Sequence, residues 1–309
     1  MPAFITHELF GTQIFSMMEG DVSKLIDENR APYFWGLQGP DLLFFRDALL
    51  GRSSLPSYGG LMHTERADEL FCALSCYLNV HKDRPEYETL AAYILGFIGH
   101  YCLDSEAHPY IYYKQMQKER VLNKEESKGI HHRIESDIDT ALYELTTGRN
   151  IREYRPAPRL YGTEAEHEII AQMYVTVLWE VYGVRAQAEE IKKSFSDCRM
   201  MLNLCLDRRG NHIRLVEAAE ALIGKPKLFS PHIRRKSVSE DILNLKREEW
   251  YNLATPQKHD NRSFPQIFYA AAYRALDMMN AMYSSSQLGM VYEGRNLLSF
   301  DNGSPDSIR

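Results

Sequence analysis

The chain has 309 residues, 44% of them hydrophobic and 25% charged, with a net charge of -6 and a pI near 6.0. That is the composition of a folded globular protein long enough to bury a sizeable core without disulfides. The acidic balance argues against a protein that coats nucleic acid and forms stable complexes with it. It does not exclude a nuclease, whose metal ions supply positive charge locally. Five cysteines (Cys72, Cys76, Cys102, Cys198, Cys205) form no C-x-x-C pair, and their odd number argues against a complete disulfide framework. The start, "MPAFITHELFG", lacks the basic and apolar regions of a signal peptide, and no run of about 18 apolar residues is present to span a membrane. A reducing cytoplasm is the setting these features imply.

The periodicity is helical almost throughout, so the expected class is all-α. Thr6 is placed to cap a first helix carrying Phe10 and Ile14. Loops are expected at "GLQGPDLLFF" and from Ser53 to Gly60. Helices follow over 64–80 and 86–107, the second strongly apolar and stopped by Pro109, because the residue before a proline is pushed out of the α region. A further helix runs from about 124 to 146 and ends at Gly148. The second half supplies helices near 163–195, 196–222, 238–249 and 264–284, with a basic loop "GKPKLFSPHIRRK" between them. Residues 1–290 read as a single domain. Residues 291–309 lose periodicity and read as a loose tail.

The chemistry concentrates in "GHYCLDSEAHPYI", residues 99–111. His100 and Asp104 are four apart, on one helix face, and could grip one ion or form an ordinary i,i+4 pair. His108 lies about 12 Å further along the axis from His100. Zinc–ligand bonds are about 2.0–2.2 Å, so no single zinc reaches both. In "GIHHRIESDID", His131 and Glu135 repeat the spacing beside the apolar stripe Ile130, Ile134, Ile138. His132 competes with His131, but only His131 stands four residues from Glu135. Asp139 extends the stripe and is better placed to hold a ligand in position than to be one. His7, Asp41 and His63 complete the set, each structural if read alone. Histidine with carboxylate suits zinc.

Taken together, an early His, a loop Asp, an intermediate His, H-x-x-x-D followed by His, and H-x-x-x-E resemble the zinc-dependent phospholipase C family, whose structural relatives include single-strand-specific nucleases. The resemblance covers residues 2–145 and extends weakly to "WYNLATPQKHDNRSF". It implies an all-helical protein with three zinc ions. Asp41, His63, His100 and Asp104 would hold one. Asp104 would bridge to a second, bound also by His7 and the N-terminal amine and carbonyl, which here would be those of Pro2 after loss of Met1. His108, His131 and Glu135 would hold the third. The spacing from Asp104 to His108 is four residues here, against six in secreted members. The implied activity is hydrolysis of a small phosphoester or phospholipid, with Asp41 orienting or deprotonating the attacking water.

A nuclease or nucleotide phosphatase of the same fold is the alternative, for which "YFW" at 33–35 and "YIYY" at 110–113 would offer stacking platforms. For a lipid enzyme, the basic loop would touch anionic headgroups. A non-catalytic zinc-binding scaffold is the third reading. His259-Asp260, the sole His-Asp dipeptide, sits in loop-like surroundings and does not support an HD-type phosphohydrolase.

Overall fold

The structure, a computed structural model, describes residues 4–47, 51–156, 161–293, 297–301 and 303. The helices are α1 (Phe4–Met17), α2 (Gly20–Glu28), α3 (Arg30–Gly36), α4 (Leu55–Thr64), α5 (Ala67–Val80), α6 (Tyr87–Glu119), α7 (Ile130–Thr147), α8 (Glu164–Tyr182), α9 (Ala188–Cys205), α10 (His212–Leu222) and α11 (Phe264–Gln287), with a 3-10 helix at Gly39–Phe45. Trp250–Tyr251 and His259–Asp260 pair as a small antiparallel ribbon, β1 and β2. The protein is all-α, as its periodicity implies.

Helix α6 is the axis. From Leu90 to Ile111 nearly every side chain is buried, as a helix apolar on all sides requires. Helix α3 crosses it at Gly36 and Gly96. A Cβ on Gly96 would lie 2.1 Å from the Tyr33 carbonyl oxygen, and one on Gly36 equally close to that of Tyr93. Only glycine lets the two backbones approach this closely. The crossing carries the chain after α3, with Asp41, over the middle of α6.

Several local expectations give way to packing. Helix α6 does not stop at Pro109 but continues to Glu119. A proline inside a helix costs about 3 kcal/mol. The residue after it is firmly held: Tyr110 packs edge-on against Trp250, and its hydroxyl donates to the Ile242 carbonyl at 2.8 Å. The expected loop from Ser53 to Gly60 falls largely within α4, so His63 lies in the last turn of that helix and not at the opening of the next. The span 163–195 is two helices, because Gly183 adopts φ +67 after α8. Residues 238–249 are not helical. The Asp241 carboxylate accepts from the amides of Leu245 and Lys246, and Asn244 and Arg247 take positive φ. These side-chain bonds compete with the helix ladder. Helix α7 begins at Ile130, later than expected, after Gly129 at φ +67.

Thr6 does not cap α1. It lies inside the helix, and the cap is the Asp139 carboxylate of α7. Its Oδ1 accepts from the Thr6 amide and hydroxyl, both at 2.7 Å, and its Oδ2 accepts from the Ile5 amide at 3.4 Å. These are first-turn amides that α1 cannot satisfy itself. The last residues, expected to be loose, include a packed segment: Phe300 is fully buried among Phe71, Phe97 and Tyr101.

Candidate metal centre

Two groups of ligand-type side chains meet on one cavity of about 620 Å³. The first comprises His7, Asp41, His63, His100 and Asp104, all buried. Asp104 is its hub: Oδ1 lies 3.2 Å from His7 Nε2, and Oδ2 lies 3.1 Å from His100 Nε2 and 3.7 Å from His63 Nε2. Asp41 Oδ1 faces His63 Nε2 at 3.1 Å, and the Nε2 atoms of His63 and His100 are 3.4 Å apart. The second group is His108, His131 and Glu135, with Glu135 Oε1 3.3 Å from His131 Nε2 and 3.9 Å from His108 Nε2. His7, Asp41, His100 and Asp104 of the first group could hold a metal ion, and so could His108, His131 and Glu135.

Four imidazoles share one arrangement. His63 Nδ1 donates to the Gly59 carbonyl at 2.8 Å and His100 Nδ1 to that of Leu37 at 3.2 Å. His108 Nδ1 donates to the Phe300 carbonyl at 2.7 Å, and His131 Nδ1 to the Gln115 side-chain oxygen at 2.9 Å. Each partner only accepts, so the proton sits on Nδ1. In the neutral ring Nε2 is then a lone pair, and each such Nε2 points at a carboxylate. Lone pairs facing carboxylates repel until Nε2 takes up a proton or a metal ion lies between them. Nδ1 donation to an oxygen with Nε2 free is also how metal-binding histidines are held. The residues present fit a metal.

The electrostatics agree. Burial pushes the Asp104 carboxyl up, but the charges of His100 and His108 and the bonds to His100 and His7 outweigh it and hold it well below the usual range. Burial likewise opposes, and His131, His108 and His132 overcome, a shift that leaves Glu135 well below its ordinary value. His108 is pushed up to about 10: burial disfavours its charge, and Asp104 and Glu135 more than compensate. His63 is raised against burial by Asp41 and Asp104. Both groups therefore demand positive charge. Among the described residues, Asp41 Oδ2, Asp104 Oδ2 and His7 Nδ1 are buried with no hydrogen-bond partner.

Beyond His7 and Asp104, six of the expected ligands can be placed: Asp41, His63 and His100 in the first group, His108, His131 and Glu135 in the second, while Pro2 lies outside the described residues. Asp139 does not touch a ligand. It is fully buried, capping α1 and paired with Arg234 Nη2 at 2.6 Å. Its effect on the site is to fix the helix that carries His7. Gly39, at φ +48, brings backbone against His100: a Cβ there would lie 2.5 Å from the ring.

Sequence reasoning set His132 aside in favour of His131 and gave no site role to His232, Arg234, Arg235 or Phe300. His132 Nδ1 donates to Glu135 Oε2 at 3.3 Å, and its ring stacks at 4.3 Å on His232, which lines the same cavity. Arg234 and Arg235, read as part of a basic loop, bind Asp139 and Asp137. Phe300 touches both groups, with its ring 5.6 Å from His63 and its carbonyl on His108. None of these contacts has a local sequence signal, since the partners lie far apart in the chain. The expected stacking platforms are largely core. Tyr33, Trp35 and Tyr110 are buried, and Tyr112 alone of the two clusters lines the cavity. Trp250, Ser263 and Phe264 of the W-x-N…S-F segment brace and cap α11.

No protein-family model matches the chain, no curated protein matches it, and no solved structure matches it. What the fold and site define is an all-helical protein with buried histidine–carboxylate groups able to hold a metal ion. Among the described residues, no helix is long and apolar enough to cross a membrane.

Proposed function

We propose that this protein is a metal-dependent hydrolase of phosphoester bonds, similar in its ligand pattern to the zinc-dependent phospholipase C family, acting on a small phosphoester or a phospholipid. The observation that carries the reading is the set of imidazoles whose Nδ1 protons are spent on fixed oxygens while their Nε2 atoms converge on buried carboxylates at one open cavity. Imidazole with carboxylate favours zinc. The first group offers more donors than one four-coordinate zinc takes, so with the second group the proposed complement is three ions. Bound zinc would supply an acidified water and positive charge for the phosphoryl oxygens.

The chain's own residues divide the remaining work. Asp41 lines the cavity and carries a buried carboxylate oxygen without a hydrogen-bond partner; its role in this reading is to orient a water and take its proton. Asp104 ties His7, His63 and His100 into one unit. The apolar wall formed by Phe44, Met201 and Phe229 excludes water and suits a substrate with an apolar group beside its phosphate. A base-stacking nuclease finds less support, because Tyr33, Trp35 and Tyr110 are buried in the core. A cytoplasmic, reducing setting belongs to the same proposal and is supported by five free thiols.

The test is a phosphoester panel, covering phospholipid, nucleotide and simple aryl phosphodiesters, on zinc-loaded wild type and Asp104→Ala. Hydrolysis by wild type that Asp104→Ala loses by at least about a hundredfold supports the reading. A loaded, folded wild type inactive on every class would favour the metal-binding scaffold.

A further inference from the structure

Helix α10 precedes the segment of Leu228, Phe229 and His232 that lines the cavity, and it is attached unusually. Its single buried residue is Glu220, whose carboxylate accepts from the amides of Lys227 and Ser230 and from the Ser230 hydroxyl. The inward face is thus pinned by a polar clasp. The outward face is apolar: Leu215, Ala218, Ala219 and Leu222 recur at the spacing of one helical stripe. Leu215 is 66% exposed, Leu222 89%, and Ile223, just beyond the helix, 65%. The loop that follows carries Leu228, 59% exposed, which with Phe229 forms part of the cavity wall. Exposed apolar side chains therefore recur from the helix to Leu228, which lines the site. Isolated exposed leucines are ordinary, but a contiguous stripe marks a surface that is covered in use.

The charges around it decide what covers it. In a chain of net charge -6, residues 208–228 carry five cations, Arg208, Arg209, Arg214, Lys225 and Lys227, against two carboxylates. One of these, Glu220, is buried in the clasp. The other, Glu217, pairs with Lys227 at 3.1 Å. Exposed leucine and isoleucine flanked by cations match a surface that is apolar beneath and anionic on top, which is a bilayer containing anionic lipid.

We infer that α10 and the loop to Leu228 form a peripheral docking surface for anionic membranes, seating Leu215, Leu222, Ile223 and Leu228 in the headgroup–acyl boundary and turning the cavity mouth toward the lipid. Docking there needs neither metal nor any particular substrate, so vesicle binding and hydrolysis succeed or fail separately.

The experiment is co-sedimentation of the full chain with vesicles of phosphatidylcholine alone and of equimolar phosphatidylcholine and phosphatidylserine. The wild type should sediment with the anionic vesicles and not the neutral ones, and raised salt should release it. Leu222→Ser with Ile223→Ser, and separately Arg214→Glu with Lys225→Glu, should each weaken binding by at least about tenfold. These side chains are exposed, so circular dichroism and Tm should be unchanged. As a readout that does not depend on loss, Leu222→Trp should show a blue-shifted emission with anionic vesicles only. No binding, equal binding to neutral vesicles, or variants that bind like wild type would overturn the assignment. So would a dimer in light scattering that the Leu222→Ser, Ile223→Ser variant abolishes, because the stripe would then be covered by a second copy of the chain.

Discussion

The backbone carbonyl of Phe300 accepts the Nδ1 proton of His108 at 2.7 Å, across 192 residues of chain. The same residue places its ring against His63 and Tyr101. A segment near the C-terminus therefore fixes the ring orientation of one candidate ligand and walls another. Phe300→Ala should cost about 3–5 kcal/mol in urea unfolding, as expected for a fully buried phenylalanine. It should also weaken metal binding at the His108 group by about 10–100-fold, because the carbonyl loses its anchor. Phe300→Leu should retain most of both. Chelator competition on the two variants checks this, and equal affinities would sink the positioning role.

Asp139 and Arg234 form a buried pair at 2.6 Å that also caps α1. Removing one member leaves an uncompensated charge, so Asp139→Ala should destabilise by about 3–5 kcal/mol. Because His7 lies in the capped turn, the variant should also bind less metal at the first group. Combining it with Arg234→Met should recover part of the stability without restoring the metal affinity. Urea titration of the single and double variants, read beside metal content, separates the two effects.

The crossing of α3 and α6 makes a steric prediction. Gly96→Ala places a methyl 2.1 Å from the Tyr33 carbonyl oxygen and should destabilise by about 1–3 kcal/mol or more. Gly60→Ala is the contrast: it lies in helix α4 with nothing within 4 Å of the new Cβ. That change should be neutral or stabilise by up to about 1 kcal/mol. Equal Tm shifts for the two would contradict the close crossing.

Burial pushes His232 down to about 2, aided by the neighbouring His132. The folded value lies below the unfolded value, so the stability tied to this group is present above about pH 6.5 and is lost as pH falls below it. The slope is about 1.4 kcal/mol per pH unit while the unfolded chain alone binds the proton. His232→Gln should flatten the acid side of the stability curve between about pH 6 and pH 4 relative to wild type. Parallel curves over that window would show that His232 can take its proton in the folded state.

The parts of this site that can be read from sequence are those written at helical spacing. His100 with Asp104 and His131 with Glu135 are four apart on single helices, and both pairs meet as that geometry requires. The separation of His100 from His108 into two groups also follows from helix rise alone. Asp41 and His63 carry no local pattern and are reached only through the family resemblance. Pro109 misleads, because the local rule for the residue before proline yields to packing around Tyr110. Phe300, Arg234 and the His132–His232 stack depend on contacts across roughly a hundred residues or more. No periodicity encodes such contacts.

The central claim is that these converging side chains hold metal. Elemental analysis of protein purified without chelators tests it most directly, with Asp104→Ala prepared in parallel. About three zinc ions per chain are expected, at least two of them tightly held, with a clear loss in Asp104→Ala because that carboxylate joins His7, His63 and His100. Fewer than two bound ions per chain in the native protein would contradict the account.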